Sequence, residues 1–140
     1  MAIVQTQTTI FKVNLLKGLE NFAPGAPYDY KIALYTASAT LNEDTLVYST
    51  DNEVTGTGYT AGGKVLAPTV PLGSGQTAYV SFANVTWSPA SFTAHGALIY
   101  NSTTGAAVAV LDFGADKTAT STFTVTFPTA DASNAIIRIS

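Results

Sequence analysis

Thr122-Phe123-Thr124-Val125-Thr126-Phe127 sets Phe123, Val125 and Phe127 on one side of an extended chain and three threonines on the other. Strict alternation over six residues is the mark of a strand with one face in a core and one in water. The segment is the clearest of a series. Ala78, Val80 and Phe82 alternate after Thr77, and Val85 and Trp87 continue the pattern beyond a bulge. Phe92 to Tyr100 and Ala106 to Phe113 read as the arms of a hairpin closed by Asn101-Ser-Thr-Thr-Gly105, whose glycine supplies the positive φ that a longer hairpin loop requires. Asp116 to Ser121 reads as a turn and Ala135 to Ile139 as the last strand.

Upstream, Thr8 to Phe22 (residues 8–22) is the one stretch with helical spacing. Phe11, Leu15, Leu19 and Phe22 recur at intervals of four, four and three, and Leu16 widens the stripe. Thr8 or Thr9 can cap its start, Gly18 weakens it by about 1 kcal/mol relative to Ala, and Pro24-Gly25-Ala26-Pro27 blocks continuation. Its apolar side closes one end of the core or docks on another subunit, the first being the default for an amphipathic helix. Over Tyr28 to Tyr35, a first strand, Tyr30, Ile32 and Leu34 share one side, and Lys31, Ala33 and Tyr35 the other. Leu46-Val47-Tyr48, after the acidic turn Asn42-Glu43-Asp44, reads equally as a helical turn or a short strand. Glu53 to Gly63 reads as an exposed loop, and Lys64-Val65-Leu66 as a strand start interrupted by Pro68, Pro71, Gly73 and Gly75. Strands at intervals of about 8 to 15 residues, joined by turns instead of helices, specify a mainly β chain. The expected architecture is a single antiparallel β-sandwich, jelly-roll or immunoglobulin-like, with one short N-terminal helix and residues 1–140 forming one domain.

Composition narrows the function classes. Charged residues are 11% of the chain, against about 25% in a typical soluble domain. The six cations, Lys12, Lys17, Lys31, Lys64, Lys117 and Arg138, are dispersed and the net charge is −3, so nucleic acid is not an expected partner. No stretch approaches the roughly 20 apolar residues that cross a bilayer, and no membrane partner is expected. Met1-Ala-Ile-Val-Gln-Thr-Gln-Thr lacks the basic leader and apolar run of a secretory signal, which implies a soluble protein made in a cytoplasm. A polar surface built mainly from Thr, Ser and Asn supplies little repulsion between copies and suits close packing of subunits, although Thr is also a good strand residue on any wet face.

The residues offer no catalytic, cofactor-binding or metal-binding set. Gly58-Tyr-Thr-Ala-Gly62-Gly63-Lys64 has the spacing of a phosphate-binding loop, but Val65 stands where the magnesium-binding hydroxyl belongs and no helix follows, so a plain glycine-rich hairpin is the better reading. His95 is the single imidazole; with no Gly-x-Ser-x-Gly elbow in the chain it reads as a structural or subunit contact. Asp51 with Glu53, and Asp112 with Asp116, are too sparse for a calcium loop and read as solvated turn acids. An enzyme would need an unforeseen convergence, for instance of Asp112 with Glu53 across a sheet. Tyr28, Tyr35, Tyr48, Tyr59 and Tyr79 are candidates for an exposed aromatic face that stacks on sugars, whereas Trp87, between Val85 and Pro89, reads as a core anchor. Two sequons, Asn84-Val-Thr86 and Asn101-Ser-Thr103, matter only on a secretory route.

Tyr30-Lys-Ile-Ala-Leu-Tyr-Thr36, Asn52-Glu-Val-Thr-Gly-Thr-Gly-Tyr-Thr-Ala-Gly-Gly-Lys64, Val85-Thr-Trp87, Ala97-Leu-Ile-Tyr-Asn101, Val110-Leu-Asp-Phe-Gly114, Phe123-Thr-Val-Thr-Phe127 and Ile136-Ile-Arg-Ile139 occur in that order along most of the chain. Together they resemble small β-rich virion structural proteins of tailed bacteriophages, of the capsid decoration (cement) or head-fibre type. The resemblance implies a many-copy subunit on the particle surface, synthesised and assembled in the host cytoplasm. Its implied partners are the major capsid protein and copies of itself, as a homo-oligomer, a trimer being favoured at threefold positions. It carries no catalytic residues. The alternative it leaves open is a tail- or fibre-associated module that binds a host-surface glycan through tyrosines.

Overall fold

The hairpin around Asn101 to Gly105 forms the longest ladder of the molecule. The computed structural model describes residues 2–140. In chain order its elements are β1 (Thr6–Gln7), α1 (Thr9–Leu16), β2 (Tyr30–Tyr35), β3 (Lys64–Leu66), β4 (Leu72–Ser74), β5 (Thr77–Val80), β6 (Val85–Trp87), β7 (Phe92–Asn101), β8 (Ala107–Ala119), β9 (Phe123–Val125) and β10 (Ile137–Ile139). A five-stranded sheet runs β1-β8-β7-β2-β3, a three-stranded sheet β10-β5-β4, and β6 pairs with β9. All these strand pairs are antiparallel, and the arrangement is sandwich-like.

Strand β2, the part of β7 from Gly96 to Asn101 and the part of β8 from Ala107 to Leu111 are buried on both faces. Alternation within β2 sends Tyr30, Ile32 and Leu34 into the larger cluster, beneath the two smaller sheets. Ala33 and Tyr35 enter a second cluster on the opposite face with Leu98, Tyr100 and Val110, covered by Ile3, Ile10, Ala39, Leu41 and Tyr48. Two-sided burial explains why β7 and β8 read as near-continuous apolar runs. Trp87 is a core anchor, 1% exposed. Its ring centroid lies 6.1 Å from that of Phe123 and 6.4 Å from that of Phe92, both edge-on. Phe123, Val125 and Phe127 are buried and Thr122, Thr124 and Thr126 exposed, as the alternation requires.

Several boundaries differ from the sequence reading. The helix covers Thr9–Leu16 instead of residues 8–22, with Thr8 as N-cap accepting from the Phe11 amide at 3.2 Å. Gly18 does more than weaken it. At φ +72° it ends the helix, with Leu19 N donating to Asn14 O at 2.8 Å and Gly18 N to Leu15 O at 3.2 Å, the paired bonds of a Schellman stop. Leu16, expected within the core stripe, is 91% exposed. The Pro71–Gly75 interruption holds β4, hairpinned to β5 through Gly75 at φ +60°. Leu46-Val47-Tyr48 is neither a helical turn nor a full strand: Val47 makes a single bridge to Ala106. β8 runs on through the expected turn to Ala119, because Phe92, Thr93 and Ala94 pair with Ala119, Thr118 and Lys117.

Glu53 to Gly63 is not a free loop. Glu53 and Val54 are buried, and Gly63, at φ +79°, lies so close to β2 that an added Cβ would sit 1.7 Å from Ile32 O. Gly63→Ala is therefore expected to cost about 3 kcal/mol or more in urea unfolding, because backbone must move. Gly75→Ala, with positive φ but open space around it, is expected to cost only about 1–2 kcal/mol.

Candidate functional site

Glu53 is the polar centre of the segment that covers the second face. Its Oε1 accepts from Tyr48 Oη at 2.6 Å, and its Oε2 accepts from Tyr59 Oη and from Gly62 N, the latter at 2.8 Å. Tyr59 Oη in turn accepts from Leu34 N at 2.9 Å, and Tyr100 Oη donates to Gly62 O at 2.7 Å. The Tyr48 and Tyr100 rings stack at 4.7 Å. Burial, with the Glu53 carboxylate beside them, pushes the Tyr48 and Tyr59 hydroxyls well above the usual tyrosine range, so both remain donors. The cluster ties residues 48–62 to β2 and β7; its oxygens are already occupied by the chain's own donors.

The expected aromatic face is therefore not assembled. Tyr35 is 1% exposed and donates to Ser49 O at 2.6 Å. Tyr48 and Tyr59 are committed to Glu53, and Tyr28 and Tyr79 are half-buried on separate elements. The Gly58 to Lys64 loop serves close backbone approach: a Cβ on Gly58 would sit 1.9 Å from Pro89 O, and Gly62 N is spent on Glu53. Lys64 Nζ donates to Thr86 O at 2.7 Å.

Asp51 and Glu53 separate, one exposed and one buried. Asp112 and Asp116 instead converge on His95, whose Nδ1 lies 2.8 Å from Asp116 Oδ1 and whose Nε2 lies 3.9 Å from Asp112 Oδ1. They flank it because β8 carries four residues, Phe113 to Asp116, opposite His95 alone. Among the described residues no group of three or more His, Cys, Asp or Glu is placed to hold a metal. Asp112 and Glu53 lie in one row across the sheet, through Gly96 and Tyr35. Three interstrand spacings put their backbones about 14 Å apart, and Ile3 packs over the intervening Gly96.

Asn101 is fully buried. Its Oδ1 accepts from Thr103 N at 3.0 Å and Thr104 N at 3.2 Å, building the hairpin turn, while its Nδ2 donates to Glu20 Oε1 at 2.9 Å. Glu20 Oε1 also accepts from Tyr30 Oη at 3.0 Å, and Oε2 is buried with no hydrogen-bond partner among the described residues. Burial pushes the Glu20 carboxyl up, and the hydrogen bonds from Asn101 and Tyr30 offset this only in part. No residue type beside Glu20 or Glu53 marks either as buried: Glu20 depends on Tyr30 and Asn101 from β2 and β7, whereas Glu53 is met by Tyr48 and Tyr59, five and six residues away in its own segment.

The open surface that stands out lies along α1. A hollow of about 530 Å3 is lined by Gln7, Lys12, Leu15, Leu16, Arg138, Ile139 and Ser140. A second, of about 230 Å3, shares Leu15 and Ile139 and extends over Phe22, Pro71, Tyr79 and Val80, with Glu20 in its wall. Together they form a groove between the helix and β10. Leu16 and Ile139, 91% and 50% exposed, are large apolar side chains left in water at its rim. Comparison with protein-family models, curated proteins and solved structures finds no match for the chain.

Two measurements test the buried carboxyls. Glu53→Gln removes an acceptor that serves three donors and is expected to cost about 2–4 kcal/mol, with a coupling of about 1 kcal/mol or more to Tyr59→Phe in a double-mutant cycle. Because the folded pKa of Glu20 is raised above its unfolded value, its contribution is complete below the unfolded pKa and is lost as pH rises through the folded one. The stability of wild type relative to Glu20→Gln is thus expected to fall on raising pH from about 4 and then level off, read from urea unfolding at a series of pH values.

Proposed function

We propose that this chain is a structural subunit of a tailed-phage particle. It decorates the capsid from outside, binding the major capsid protein and further copies of itself, and so stabilises the head after assembly in the host cytoplasm. The observation that carries the reading is the apolar groove of α1 and β10, open to water on a chain whose charged fraction is only 11%. Surfaces of that kind are costly in a free monomer and useful where a neighbour covers them. The ordered series of motifs, which resembles small virion proteins, points the same way, as does a sheet whose centre is buried on both faces, which holds such a surface in fixed geometry. Repetition over a lattice multiplies a modest contact into a strong one. The glycan-binding alternative is less well supported, since three of its five candidate tyrosines are spent inside the protein.

Heads lacking the subunit are expected to release their genome at lower temperature, or on milder dilution into low salt, than complete heads. Adding back the purified protein should restore the difference. Equal survival of both kinds of particle would refute a cementing role.

A further inference from the structure

We propose that the groove between α1 and β10 is filled by the loop of residues 43–47 of a second copy of this chain. The inference rests on the self-association part of the reading above and supplies its surfaces. Lys12 and Arg138 line the larger hollow, and no acidic side chain lines it. Among the described residues Lys12 has no carboxylate within 4.0 Å, while Arg138 donates to Ser133 O at 2.6 Å. The loop is the reciprocal surface. Glu43 and Asp44 are exposed and make no ion pair among the described residues, and beside them Leu46 and Val47 stand 60% and 56% exposed. A pair of acids next to a pair of aliphatics thus matches a pair of cations next to Leu15, Leu16 and Ile139.

The loop is ordered before any partner arrives. Thr9 N donates to Glu43 O at 2.9 Å, Ala107 N to Leu46 O at 2.9 Å and Tyr48 N to Gly105 O at 3.0 Å. Asn42 closes the turn, its Oδ1 accepting from Asp44 N at 2.8 Å and its N donating to Thr45 Oγ1 at 3.0 Å. Little conformational entropy remains to be lost on docking. Helix geometry also explains why a molecule does not fill its own groove. With 3.6 residues per turn, Lys12, Leu15 and Leu16 share one flank of α1, whereas Ile10 on the other flank packs with Leu41 and Tyr48 on the side that carries the loop. Donor and acceptor surfaces open in different directions, so the contact is head to tail. Such contacts propagate, closing into rings where the rotation permits.

Sedimentation equilibrium on the full chain tests this. Wild type is expected to self-associate, more weakly at high salt because the rim charges are exposed. Lys12→Glu with Arg138→Glu, and separately Glu43→Lys with Asp44→Lys, should each raise the dissociation constant at least tenfold while the chain keeps a native circular dichroism spectrum and a cooperative unfolding transition. An equimolar mixture of the two variants should recover the wild-type affinity, since each then meets its complement. Leu16→Asp should abolish association in every combination. A wild type that stays monomeric at roughly millimolar concentration, or a mixture that fails to associate where wild type does, overturns the inference. Head binding that survives in all the variants, with self-association unaltered, would remove this interface and leave the decoration proposal standing; charge-dependent association without head binding would do the reverse.

Discussion

Burial of both faces of the β2, β7 and β8 ladder is the condition on which the rest of the structure depends. A sheet wet on one side needs only one apolar layer opposite it; a sheet dry on both needs two. The first layer here is regular, built from β4, β5, β6, β9 and β10 over Tyr30, Ile32, Leu34 and Ile99. The second is an irregular segment between β2 and β3, together with the N-terminal residues, lying over Ala33, Tyr35, Leu98 and Val110. Irregular chain over an apolar face leaves backbone groups and polar side chains in need of partners. Glu53 meets that need by gathering two tyrosine hydroxyls and an amide around one carboxylate. A buried charge without a cation is tolerable when hydrogen bonds surround it; the cost of its desolvation is set against the order it imposes on the cover.

Much of the architecture was legible in the sequence where local pattern and tertiary role coincide. Phe123 to Phe127 alternates because one face of that strand is wet, and Gly105 closes the hairpin with the positive φ that its position demands. Trp87 reads as core since its neighbours Val85 and Pro89 leave it little else to be. The misreadings share a cause. Periodicity identifies two faces of β2 but not whether both are covered, so Tyr35 read as a candidate platform although it lies in the second cluster. Gly18 was visible as a weak point in a helix, yet whether a glycine weakens or terminates depends on its φ. The length of β8 was hidden because Gly114 to Thr118 is exposed throughout and carries no apolar signal. Of the groove, only Phe11, Leu15, Leu16 and Phe22 were legible as part of a stripe; its other wall, β10, is more than a hundred residues away along the chain.

The glycines divide into two kinds whose meanings differ. Gly18, Gly75 and Gly105 turn the chain in open space. Gly58, Gly63 and Gly96 instead let backbone or side chains come within distances that no Cβ allows, and all three lie where the cover meets the sheet or its margin. A motif that looks like a phosphate cradle is here a contact between two parts of one chain.

The surplus of three residues in β8, four opposite His95 alone, has a geometric consequence of its own. Upstream of it, β7 and β8 belong to the central sheet; beyond it, the same two chains continue toward β6 and β9, whose Trp87 and Phe123 belong to the layer above. One ribbon thereby crosses between storeys of the building without a linker, and the crossing point is pinned by an imidazole between two aspartates. Because side chains alternate with period two, any natural change in the length of that elbow must come in pairs of residues if the aromatic side of the upper ribbon is to keep facing inward.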